Sequence, residues 1–164
     1  MNAQYLNKIK KLRSTKQFNI AVAESCTGGM LSSKLSSLSG SSAFFLGSII
    51  AYSNKLKIKL LNVSNKTLER YGAVSHQTAL SMVKGLAKKT NSDVLISITG
   101  VAGPKGGSKK TPVGCVIFGF GIKIKKKYEY FTVKKIFKKT TRRQIQIKST
   151  KFALIKIIKL INKI

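Results

Sequence analysis

The sequence predicts an α/β fold, a three-layer α/β/α single domain around a mixed, mostly parallel sheet. Three observations lead there. Short apolar, β-prone runs at residues 18–23 and 44–52 each end in a polar turn and then pass into a segment of helical period. Near the end, two strand-like stretches follow one another with almost no linker, which predicts a hairpin and so an antiparallel component. The 164 residues, without internal repeat or low-complexity linker, match one domain that buries a core without disulfides.

Each element has its own reason. Leu6, Ile9 and Leu12 recur every third residue, so residues 2–15 read as an amphipathic helix. Residues 18–23 (FNIAVA) have strand length, and ESCTGG follows them. Met30, Leu31, Leu35 and Leu38 then suit a helix stopped by Gly40. Residues 44–52 (FFLGSIIAY) are the next strand, followed by a short helix over 54–61. Ser64 is placed to cap a helix over 65–71, and Ser75 one over 76–90 with Leu80, Val83 and Leu86 inward. Residues 93–99 (DVLISIT) form a buried strand. Residues 100–112 contain both prolines and Gly100, Gly103, Gly106 and Gly107, so they read as a loop. Strands over 113–121 and 123–133 meet at a tight turn at Gly121. The tail 142–164 is helical, with Ile145, Phe152, Ile155, Ile158 and Ile161 on one face.

Charge is the unusual bulk property. There are 32 Lys and Arg against four acids, Glu24, Glu69, Asp93 and Glu129, for a net +28. Such a field attracts polyanions. However, the basic residues run through every segment, as drift in surface composition produces, and the aromatics do not interleave with them as a base-stacking platform requires. Nucleic acid is therefore not the expected partner. Lysines along 123–139 read as a solvated strand face and turn. Cys26 and Cys115 form no CxxC, and a single histidine with four scattered acids leaves no metal site, so neither metal nor other cofactor is expected. The N-terminal stretch lacks a continuous apolar run, and no run approaches membrane-spanning length. The expectation is a cytoplasmic protein without a membrane partner.

Three polar clusters leave predicted strand ends. In Glu24-Ser25-Cys26-Thr27-Gly28-Gly29 a serine sits just past a strand, and glycines open a helix whose N–H groups can hold an anion. By itself this also describes an ordinary capped turn. Serine needs a base. The sole histidine, His76, follows a helix cap away from any acid in sequence and reads as a solvent-side residue, which leaves lysine. A lysine base must lose its proton near neutrality through burial or neighbouring charge; composition alone does not choose which. The second cluster is Tyr52-Ser53-Asn54-Lys55-Leu56-Lys57, and its bland counterpart is a polar loop with surface lysines. The third, Thr99-Gly100-Val101-Ala102-Gly103-Pro104-Lys105-Gly106-Gly107, lacks the spacing of known phosphate loops. Long glycine loops after buried strands nonetheless often carry function.

AESCTGG, GSSAFF, AYSNKLK, YGAVS, TGVAGPKGG and PVGCVIFG occur in this order, and together they resemble the C-terminal domain of the competence/damage-inducible (CinA) family over residues 3–160. Stand-alone members of that family are nicotinamide-mononucleotide amidohydrolases. The resemblance implies hydrolysis of that carboxamide to nicotinate mononucleotide and ammonia, in pyridine-nucleotide salvage, on a small nucleotide substrate. It makes Ser25 the nucleophile, Lys57 its base and Tyr52 a site tyrosine that orients Lys57 or relays a proton. It places Thr27, Gly28 and Gly29 at the oxyanion, Ser42, Thr99 and Gly100 beside the substrate, and Arg142 at the phosphate. The chain departs from the family pattern at Lys105, where Asp is common, at Thr140-Thr141 before Arg142, and at Gln146, where a second arginine is usual. Two rivals follow: an inactive member kept as a binding or structural module, and a basic nucleic-acid-binding protein. A homo-oligomer is compatible with a small α/β enzyme.

Overall fold

The computed structural model describes residues 3–137 and 140–164. Its elements run α1 (Ala3–Thr15), β1 (Ile20–Glu24), α2 (Met30–Ser36), a single 3-10 turn (Ser41–Ala43), β2 (Phe45–Ile50), α3 (Asn54–Leu61), α4 (Asn65–Tyr71), α5 (His76–Thr90), β3 (Val94–Gly100), β4 (Cys115–Ile124), β5 (Lys127–Ile136) and α6 (Arg142–Ile161). The five strands form one sheet in the order β2-β1-β3-β4-β5. β1 pairs in parallel with β2 and β3, whereas β3–β4 and β4–β5 are antiparallel. Only β4 runs against the common direction, so the mixed, mostly parallel sheet of the sequence reading is what forms.

Helices cover both faces. α1, α2 and α6 pack together on one side; α5, with α3 and α4 against it, covers the other. Two apolar layers result. The larger joins Ile9, Phe18, Ile20, Val22 and Leu31 to Phe118, Phe120, Leu154 and Ile157. The smaller joins Ala21, Ala23 and Leu95 to Leu61, Met82 and Leu86. β1 is buried along its whole length and supplies alternate residues to both layers, which is why residues 20–23 read as an unbroken apolar run.

The caps predicted at Ser64 and Ser75 form, accepting from Thr67 and Thr78 N–H at the starts of α4 and α5, and Ser53 caps α3 in the same way by accepting from Leu56 N–H. Several boundaries move. The helix placed at 30–38 stops at Ser36, because the chain turns at Ser37 and then at left-handed Gly40. Leu80 is only half-buried, and the inward face of α5 is carried by Ala79, Met82, Val83 and Leu86. On α6, Phe152 and Ile155 are half-buried, while Ala153, Leu154 and Ile157 lie in the core with Ile145, Ile158 and Ile161. Residue 2 of the first predicted helix and residues 138–139 of the lysine-rich stretch lie outside the described residues.

One correction changes the topology locally. The hairpin does not turn at Gly121. Gly121 is inside β4, opposite Tyr130, where an added Cβ would come within 3.0 Å of the Tyr130 ring. The turn lies at Lys125-Lys126, both with positive φ (46° and 69°), and it links the pair Ile124–Lys127. Two left-handed central residues match the twist of a two-residue hairpin. Glycine here allows ring packing rather than chain reversal, and two lysines adopt the conformation that glycine or asparagine takes more easily.

Candidate active site

β1 leads outward to β2 through α2, whereas β3 leads the other way, to β4. The ends of β1 and β3 therefore border a crevice, the place where open α/β sheets bind ligands. Ser25 is the first residue beyond β1. Its N–H donates to Ile98 O at 3.0 Å, so β3 fixes its backbone. The loop after β2 is tied to the same point, since Ala51 N–H donates to Glu24 O at 2.8 Å.

Lys57 projects from α3 into this crevice and is 2% exposed. Its Nζ lies 3.0 Å from Ser25 Oγ, 3.1 Å from Ala51 O and 3.4 Å from Tyr52 O. These partners include no carboxylate. Burial without a counter-charge pushes the Lys57 ammonium below its ordinary value of 10.5, with the Cys26 thiol acting weakly in the opposite sense. In the neutral amine two N–H groups can serve the two carbonyls, and the lone pair then faces the Ser25 hydroxyl. Geometry and electrostatics thus suit one lysine among many for proton abstraction.

Two other nucleophiles are set aside by their surroundings. Cys26 is buried next to Ser25, and that burial drives its thiol up to about 12, so it stays protonated at neutral pH. Ser42, expected beside the substrate, lies in the exposed turn before β2. β2 pairs in parallel with β1, with Phe45 beside Ile20 and Ile50 beside Glu24, so Ser42 sits at the opposite end of the strands from Ser25. Within one chain it is no part of this site.

The turn after Ser25 is held by a group that the sequence reading gave no role. Glu24 is fully buried, and its carboxylate accepts from Gly29, Leu31 and Ser32 N–H at 3.1, 3.2 and 2.8 Å and from the Ser32 hydroxyl. It caps α2 from the preceding strand, where a negative charge complements the helix dipole. Gly28 and Gly29 adopt left-handed φ (60° and 93°), which makes the turn possible. The Gly28 N–H donates to Ser25 O and the Gly29 N–H to Glu24. The expected oxyanion donors at Gly28 and Gly29 are therefore already engaged. Among the described residues, the N–H groups of Cys26 and Thr27 have no such protein acceptor. Thr27 Oγ1 is buried without a partner. Gln146, on α6, donates to Cys26 O at 3.0 Å and braces the loop from its far side.

Tyr52 also takes a different part from the one expected. Its carbonyl reaches Lys57, but its phenol points away and accepts from Arg142 Nη2 at 2.6 Å. Arg142 Nη1 donates to Gly103 O at 2.9 Å, so Arg142 ties the loop after β2 to the loop after β3. Thr99 donates its hydroxyl to Ala73 O at 2.7 Å, which fixes its orientation. An added Cβ on Gly100 would lie 2.8 Å from Cys115 O, so β4 packs tightly there. Ser25, Tyr52, Asn54, Lys57, Thr99 and Arg142 border one cavity of about 200 Å³, walled by Ala73, Val74 and Ala102. A larger basin of about 540 Å³ adjoins it, sharing Ala73 and Val74 and edged by His76, Lys110 and Lys134. His76 is exposed and its Nδ1 bonds to Thr132 Oγ1, away from Ser25. Among the described residues, no group of three or more His, Cys, Asp or Glu side chains could hold a metal ion, and no helix is long and apolar enough to cross a membrane.

Comparison with known proteins agrees with this architecture. The family model of the CinA C-terminal domain matches residues 2–161. A CinA-like protein of Petrotoga mobilis is 43% identical over 144 residues, 88% of this chain and 34% of that protein. One from Pseudothermotoga lettingae is 52% identical over 108 residues, 66% of this chain and 27% of that protein. This chain thus spans about a third or less of the length of those relatives. Among solved structures, a competence/damage inducible protein from Agrobacterium tumefaciens superimposes with a TM-score of 0.90 at 30% identity, covering 96% of this chain and 93% of that one. With the fold, the strand-end loops and the family model in agreement, the chain belongs to the CinA C-terminal domain family.

Proposed function

We propose that this chain is a Ser/Lys amidohydrolase acting on the carboxamide of nicotinamide mononucleotide, releasing ammonia and nicotinate mononucleotide. One observation carries the reading: a lysine buried without a counter-charge, 3.0 Å from the hydroxyl of a serine held on a strand end. Neutral Lys57 takes the Ser25 proton as Oγ attacks the carboxamide carbon. The Cys26 and Thr27 N–H groups receive the developing oxyanion. Lys57 returns the proton to the departing amide nitrogen, which leaves as ammonia. Water, deprotonated by the same amine, then resolves the acyl-enzyme and frees Ser25. The 200 Å³ cavity suits the pyridine carboxamide end of the substrate. It is smaller than the roughly 300–1,000 Å³ of pockets enclosing whole drug-sized ligands, so the ribose phosphate extends outward, with the remaining Arg142 donors available to the phosphate. Neither step requires a cofactor.

The test is ammonia release from nicotinamide mononucleotide by purified protein. Wild type should turn the substrate over, and Ser25→Ala should lose at least about a thousandfold. A wild-type protein that releases no ammonia from this substrate, or a Ser25→Ala variant with near-normal turnover, overturns the assignment.

A further inference from the structure

Gly85 lies in the interior of α5, and its φ is outside the left-handed range. Chain conformation therefore does not call for glycine there, and alanine is the better helix former. Space calls for it. A Cβ added at Gly85 would fall onto the Leu61 carbonyl oxygen, 2.6 Å from Leu61 C and 3.0 Å from Leu61 Cα. Among the chain's 13 glycines this is the closest such approach. It is also an approach to main chain, which cannot swing aside as the end of a side chain can. Leu61 is the last residue of α3, and Lys57 lies one turn before it on the same face. These two are the buried residues of α3. The helix end ties them together, because Lys57 O accepts from Val63 N–H at 3.2 Å and from the N–H of Asn62, which turns left-handed at φ 54°. A displacement of Leu61 is thus carried to Lys57.

We infer that Gly85 is a positioning residue for Lys57: with no side chain at that point the end of α3 seats on the α5 backbone, and this seating sets how deep the Lys57 amine reaches toward Ser25. α5 is held on its other side by β3 and β4, so α3 is the element that yields when the contact is crowded. Lifting α3 lengthens the 3.0 Å approach of Nζ to Ser25 Oγ and admits water to the amine. The depth of Lys57 is a property of the fold and can be measured without turnover; only the kinetic readout rests on the amidohydrolase reading.

Gly85→Ala adds one methyl group and no charge. The titratable groups around Lys57 stay the same: the Cys26 thiol after β1, and Tyr52 and Arg142 across the cavity, with none among the buried residues of α5. A change in Lys57 titration then reports its displacement and hydration. NMR of protein carrying 13C-labelled lysine, with Lys57→Met identifying the Lys57 signal, should place the Lys57 midpoint of Gly85→Ala at least about one pH unit closer to 10.5 than that of wild type. At neutral pH kcat on nicotinamide mononucleotide should fall at least about tenfold, and the midpoint of the kcat/KM profile should rise with that of Lys57. Leu61→Ala, which keeps the main-chain contact, should leave the Lys57 midpoint where it is in wild type. An unchanged midpoint in Gly85→Ala overturns the inference. So does an equal shift in Leu61→Ala, which would make side-chain packing the determinant. So does loss of native circular dichroism in Gly85→Ala, since Gly85 would then hold the whole fold rather than α3. A raised midpoint in Gly85→Ala together with no ammonia release by wild type would uphold the role of Gly85 and overturn the amidohydrolase reading alone.

Discussion

The β1–β2–β3 half and the β4–β5 hairpin use polar residues differently. In the first half most buried polar groups are partnered, Thr27 Oγ1 and Ser92 Oγ being exceptions. Glu24, Ser25, Lys57, Ser97 and Thr99 are all nearly inaccessible, and each has a hydrogen-bond partner. In the hairpin the charges point outward, with exposed Lys125, Lys126, Lys127, Lys134 and Lys135. A buried polar group must be satisfied or it costs stability, so its position is highly specified. An exposed lysine costs little wherever it falls. The candidate site therefore lies where polar groups are buried and specified, and the +28 marks the surface rather than the site.

The strongest challenge to that comparison is at Lys57. Lys57→Met should remove activity by at least about a thousandfold, matching Ser25→Ala, while circular dichroism stays native. In the wild type, kcat/KM should rise with pH as Lys57 loses its proton, with a midpoint below the ordinary lysine value of 10.5. The sign follows from burial, which favours the neutral amine. The unfolded chain keeps that proton to higher pH than the folded one, so Lys57's contribution to stability also increases with pH between its lowered value and 10.5. A rate that falls as pH rises from neutrality would contradict the assignment of Lys57 as base.

Glu24→Gln is the next largest test. It replaces a carboxylate accepting four hydrogen bonds with an amide that places donors against other donors. A loss of roughly 2–3 kcal/mol in denaturant unfolding is expected, since bonds to a charged group are each worth about 1.5–3 kcal/mol. Unchanged stability would mean that the buried carboxylate does not hold α2. The smallest effect belongs to the hairpin. Lys125→Asn with Lys126→Gly should stabilise by about 1 kcal/mol, because these residues accept positive φ at lower cost, and turnover should stay within twofold. A large change in turnover would show that the hairpin half is coupled to the site.

Much of the architecture could be read without coordinates. Apolar runs of strand length, helical spacing and serine caps located the α-helices and strands of the described residues, though not the 3-10 turn at Ser41–Ala43, because those signals are local and set by backbone geometry. The three strand-end loops could also be read, as could the absence of a usable histidine. What failed had a common cause. Gly121 looked like a turn, but contact with Tyr130 kept it in the strand. Ser42 lay in a family motif, but parallel pairing placed it at the far end of β2. Gly28 and Gly29 looked like oxyanion donors, but their N–H groups already had acceptors within the loop.

The sequence by itself determined the α/β class, the order of elements and the family, since these depend on periodicity and on motifs in series. It also marked AESCTGG and AYSNKLK as the segments to watch. Only the tertiary structure decided that Lys57, named by the family motif, meets Ser25 buried and without a counter-charge, that Glu24 caps α2, and that Tyr52 contacts Lys57 through its carbonyl while its phenol binds Arg142. Those facts depend on burial and on pairing between residues distant in the chain. A lysine's local sequence carries no record of the water it loses when α3 packs over the end of β1.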